Sequence, residues 1–171
     1  ILIDGVTGSH RFFSKYFNPG FYNLLIASFE ILAFLVLISV ILFWTRRNIV
    51  RIKRFLSSEM KGWPKFDADN ILYFEVVLML LFLSMNATDL ILQERNFEGY
   101  YKAGSFPISS FIVPLFNSFD TPTVYVFERV FWWLHIIGIF FFLNYLYYSK
   151  HLHILLALSL IHISEPTRPI R

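Results

Sequence analysis

The sequence predicts an all-α membrane protein with three transmembrane helices, and three observations carry that prediction. First, the composition is that of a chain in lipid. Of 171 residues, 56% are hydrophobic, 20% aromatic and only 16% charged, where a soluble domain averages about 25% charged; mean hydropathy is +0.56. Second, three stretches stay apolar over the roughly 20 residues that a spanning helix needs: residues 21–44, 70–93 and 124–148. Third, positive charge gathers on one side of the first stretch. Arg46, Arg47, Arg51, Lys53 and Arg54 follow it closely, and the positive-inside rule places such a loop in the cytoplasm.

Taken in order, the first span, 21–44, carries Glu30 as its one charge. The loop 45–69 is then cytoplasmic. Within it Ile49, Ile52, Phe55, Leu56 and Met60 recur at helical spacing, as in a helix lying along the inner headgroups. Gly62-Trp63-Pro64 ends that stretch. The second span, 70–93, runs outward. Residues 108–119 are apolar but too short to span, and they contain Pro114, so a re-entrant or interfacial segment is expected. The third span, 124–148, returns inward and leaves residues 149–157 cytoplasmic. The expected location is an integral one in a bacterial inner membrane.

Several function classes fall away. The net charge of +3 and pI near 9.2 come mostly from the juxtamembrane loop, which suits lipid headgroups better than nucleic acid. There is no cysteine, so this chain holds no disulfide and no Cys-ligated iron–sulfur cluster. No phosphate-binding loop, nucleophile elbow or zinc spacing occurs.

The chemistry-bearing residues are histidines. His135 lies inside the third span and His153 just past it, eighteen residues on. Five helical turns make that spacing, so a continuous helix would point both rings the same way, about 27 Å apart. That is too far for one metal but suits two stacked haems, and histidine is the usual axial ligand in a helix bundle. Gly138, three residues after His135, would let a porphyrin approach the backbone. By spacing alone, His135 could equally make an interhelical hydrogen bond. His151 and His153 could be a snorkelling basic cluster. Glu30, Asp89, Glu128 and Arg129 fall toward the outer ends of their spans. Arg129 is expected to pair with Asp89 or Glu30. The group is a candidate quinone site or proton path, with plain helix pairing as the alternative.

The run from His135-Ile136-Ile137-Gly138 to Ser149-Lys150-His151-Leu152-His153 resembles the gamma (cytochrome b) subunit of respiratory nitrate reductase. With Ile3-Asp4-Gly5-Val6-Thr7-Gly8-Ser9-His10-Arg11, Glu59-Met60-Lys61-Gly62-Trp63-Pro64-Lys65 and Gly104-Ser105-Phe106-Pro107-Ile108-Ser109-Ser110, the wider chain is similar to the membrane part of heterodisulfide-reductase-related iron–sulfur oxidoreductases. The resemblance implies that residues 1–157 are part of a nitrate reductase gamma-like transmembrane domain. It implies b-type haem, two in the whole protein, carrying electrons between a membrane quinone and cytoplasmic iron–sulfur domains. His135 and His153 would be axial ligands of different haems. His10 is the remaining ligand candidate, because the second span has no histidine, and His151 would meet a propionate or the surface. Residues 158–171 begin with Leu158-Ser159-Leu160-Ile161-His162-Ile163-Ser164-Glu165-Pro166-Thr167-Arg168, which reads as a translated sequencing adapter. A non-native tail is therefore expected there, with the iron–sulfur domains missing. Two rival readings are a cofactor-free membrane anchor or assembly subunit, and a transporter fragment using Glu30, Asp89 and Arg129 as a proton path.

Overall fold

The computed structural model describes residues 3, 4, 10–50 and 63–148, the side chains of 63–65 excepted. Among the described residues every regular element is helical. After a 3-10 turn at Phe12–Lys15, helix α1 runs over Pro19–Asn48. It starts where Asn18 accepts a hydrogen bond from the Gly20 N–H at 2.9 Å and Pro19 fixes the first turn, the usual chemistry of a helix start. It ends with Arg46 and Arg47 in the last turn, where cations complement the carbonyl end of the helix dipole.

Helix α2 covers Trp63–Glu94, seven residues earlier than hydropathy places it. Trp63 and Pro64, expected to close a preceding segment, are already helical here. The extension has a use. Tyr145 donates to Asp67 at 2.6 Å, and Asn48 donates to Asp69 at 3.2 Å with Arg47 also 3.5 Å from it. The polar foot of α2 thus fastens both neighbouring helices. The amphipathic stretch expected between α1 and α2 lies mostly outside the described residues.

Beyond α2, a 3-10 turn at Ser109–Phe111 leads to the one-turn helix α3, Val113–Phe116. Phe111 is 82% exposed, while Ser109 is fully buried. This matches the expected re-entrant or interfacial segment, and Glu30 is what holds it. The Glu30 carboxylate accepts from the Ile108 N–H at 3.0 Å, the Ser109 N–H at 3.2 Å, the Ser109 hydroxyl, and Asn86 of α2 at 3.0 Å. Glu30 lies eleven residues into α1, about 16 Å along it. Irregular backbone is tolerated at such depth only where protein satisfies it. Arg95 clamps the far end of the segment through the carbonyls of Asn117 and Phe119, both at 2.9 Å.

Helix α4 covers Thr121–Tyr148. Asp120 starts it, accepting from the Thr123 hydroxyl at 2.7 Å. That hydrogen bond holds the Asp120 carboxyl below its ordinary range.

Three segments, Pro19–Asn48, Phe66–Glu94 and Thr121–Tyr148, are long and apolar enough to cross a membrane, and the chain is an integral membrane protein as the sequence predicts. Helix α2 is the central one. In its spanning window 39% of residues are buried, against 17% in α1 and in α4. The outer helices each pack on α2 and barely meet each other.

Candidate functional site

Because α1 and α4 diverge around α2, a cavity of about 800 Å³ opens between all three. Leu25, Ile26 and Phe29 of α1, Phe82 and Met85 of α2, and Trp132, Ile136 and Ile139 of α4 line its apolar part. Its polar rim holds His10, Arg11, Asp89, Tyr100, Glu128 and Arg129. An apolar pocket with a few convergent polar groups is the common form of a ligand or cofactor site.

His135 stands in the wall of this cavity, only 6% exposed. Its Nδ1 is 3.1 Å from the Leu78 carbonyl of α2. A carbonyl only accepts, so Nδ1 carries the proton and Nε2 keeps its lone pair. The hydrogen bond at Nδ1 is the one that fixes the ring. The Phe82 ring lies 5.7 Å from the imidazole, centre to centre. Histidine that binds a metal through one nitrogen almost always donates the other N–H to such an acceptor, which fixes the ring and raises its basicity.

Gly138 does something other than admit a porphyrin. A methyl there would lie 2.7 Å from Leu78 Cδ2. The missing side chain lets α4 close onto α2, and so brings His135 within reach of the Leu78 carbonyl. The expected face is right, but the neighbour is a helix.

His10 is committed elsewhere. Its Nδ1 accepts from the Tyr101 N–H at 3.3 Å, so its Nε2 donates to Asp89 at 2.8 Å. Asp89 and Leu78 are eleven residues apart on α2, about 16 Å. His10 and His135 therefore cannot share one iron, and His10 has no free nitrogen to offer another. His151 and His153 lie outside the described residues, and with them the eighteen-residue register.

The outer charges pair differently from expectation. Asp89 is taken by Arg11 through both Nε, at 3.0 Å, and Nη2, with Gln93 donating at 3.2 Å. Glu30 is filled by Asn86 and the 108–109 turn. Neither is left for Arg129, which grips its own neighbour Glu128 through Nε and, at 2.7 Å, through Nη2. Tyr100 donates to Glu128 at 2.9 Å and receives Arg129 Nη2 at 3.2 Å. Glu30 does not line the cavity, whereas Asp89, Glu128 and Arg129 do.

Two rim groups lie outside the spans and have shifted acidities. Burial works against the Arg11 charge, but Asp89 and Tyr22 together outweigh it and lift the guanidinium above its ordinary value. Burial, then the Glu128 carboxylate, push the Tyr100 phenol well up, so it stays a proton donor. Arg11 and Tyr100 are the residues that sequence reasoning missed. Arg11 adopts a left-handed backbone, φ 53°, which nothing in the sequence announces.

Among the described residues no cluster of three or more His, Cys, Asp or Glu side chains could hold a metal ion. The chain matches no family model, no curated protein and no solved structure.

Proposed function

We propose that the protein is a membrane electron-transfer module of an oxidoreductase, holding b-type haem on His135 and exchanging electrons between a membrane quinone and cytoplasmic iron–sulfur domains. One observation carries this reading: the His135 ring is oriented by the Leu78 carbonyl at 3.1 Å within the wall of a cavity of about 800 Å³. Bound haem would supply the one-electron chemistry. The chain's part is to orient the ligand through Leu78, to exclude water with Phe29, Phe82 and Trp132, and to present polar groups at the rim. There Arg129, which gives Nε and Nη2 to Glu128 and Tyr100, would donate through Nη1 to a quinone oxygen. Saturation of Glu30 by four donors supports a structural role for that carboxylate and weakens a transport path through it.

The test is haem content. Purified from haem-replete membranes, the full chain should give a b-type pyridine haemochrome. His135→Ala should lose at least most of it, and His10→Ala should retain it. Protein that purifies free of haem, or a His135→Ala spectrum identical to the parent's, would overturn the proposal and leave the cofactor-free anchor.

A further inference from the structure

We infer that the cavity is entered from the bilayer, sideways between α1 and α4, by an amphiphile with an uncharged, hydrogen-bond-accepting head and an apolar tail. The inference rests on the quinone part of the reading above and needs no haem. The open side comes first. Phe29 lines the cavity, yet it is 50% exposed. It stands ten residues into α1, about 15 Å along a helix of about 45 Å. The hydrocarbon layer is about 30 Å thick, so the exposed side of this ring meets lipid tails and not water. Trp132, also in the wall, is eleven residues into α4, about 16 Å along it. Both helices finish beside the start of α2 and barely meet each other. The two rings therefore stand at matching depth on the helices that flank the gap.

The end of the cavity facing water is roofed instead. Phe97, Gly99 and Tyr100 line it, and their connection is tied down at three places. The Tyr101 N–H donates to His10 Nδ1 at 3.3 Å. Gln93 of α2 and the Ala103 backbone exchange two hydrogen bonds, at 3.1 and 3.3 Å. The Gly104 N–H donates to Asn23 of α1 at 2.9 Å. Charge then sets the kind of head. Asp4, Asp89, Glu98 and Glu128 line the cavity against Arg11 and Arg129, and each arginine is already paired, with Asp89 and Glu128 respectively. His10 accepts at Nδ1 and is neutral. An anionic lipid head would meet an excess of carboxylates, and opposed like charges exclude wrong partners. A neutral acceptor meets no such repulsion and takes a hydrogen bond from Arg129, while its tail passes through the gap into lipid.

The probe is a decyl-benzoquinone with a diazirine at the end of its tail, given to the full chain in phosphatidylcholine nanodiscs. Irradiation should label the peptides that contain Phe29 and Trp132. Excess plain decyl-benzoquinone should abolish the label, and added phosphatidylglycerol should not. Phe29→Trp should slow binding and release together, severalfold each, with Kd unchanged, because a doorway residue alters passage and not the bound state. Phe29→Ala should speed both. Saturable label confined to residues 97–101, competition by phosphatidylglycerol, or unchanged rates in both Phe29 variants would overturn the inference and leave the quinone reading standing. So would a disulfide-linked dimer of Phe29→Cys under copper-phenanthroline oxidation, which would show a second copy covering the gap. Absence of any saturable quinone binding would overturn the quinone reading as well.

Discussion

At Gly138 one absent methyl sets how closely two helices meet. A Cβ there would sit 2.7 Å from the tip of Leu78, so Gly138→Ala must turn Leu78 aside or part α4 from α2. Overpacking of this kind costs about 1–3 kcal/mol, and the His135–Leu78 hydrogen bond would weaken with it. Thermal unfolding in detergent should show the loss, and Gly138→Ala combined with Leu78→Ala should be less destabilised than the two single losses predict. Strict additivity would mean the contact is not formed. The sequence made part of this site visible at residue scale. His135, Glu30, Asp89, Glu128 and Arg129 stand out because an apolar background exposes every ionisable group. Their partners were not visible. Arg11 reaches Asp89 across 78 positions, and no periodicity encodes that. Nor could Gly138 be read fully: helical spacing gives the direction a residue faces, not what lies opposite.

The elements show the same division. Hydropathy found all three spans to within a few residues at most ends, because lipid demands an unbroken apolar run. It missed the first turns of α2, where Asp67 and Asp69 bind α4 and α1 in a region that transfer energies score as loop. The 108–119 segment was legible as too short to span, and its attachment to Glu30 was not. That attachment is testable. Ser109→Ala removes one bond to a charged acceptor, worth about 1.5–3 kcal/mol. The amides of Ile108 and Ser109 should then exchange with deuterium faster than in the parent, with α1 and α4 unaffected. Unchanged exchange would mean the turn is held by something other than Glu30.

For the whole molecule, charge is divided between the two ends. Up to residue 157, the end where α1 finishes and α2 begins has eight Lys/Arg against four carboxylates; the opposite end has five against seven. The positive-inside rule then puts the 95–120 connection outside. In right-side-out vesicles, Lys102→Cys should react with an impermeant maleimide, which is specific here because the chain has no cysteine of its own. Protection until detergent is added would reverse the topology. The spans were readable because hydropathy runs along the chain, whereas the cavity exists only where α1, α2 and α4 come together. The central place of α2 also bears on how the protein is made. Helix α1 is the most apolar span, with a mean hydropathy of 2.8 against 1.8 for α2, and it can partition into the bilayer unaided. Helix α2 must bring Asn86 and Asp89 with it. By then the ribosome has already delivered Glu30 and Arg11, the groups that meet them. For α2, chain order therefore doubles as the order of charge neutralisation during insertion, Asn86 and Asp89 arriving after Glu30 and Arg11.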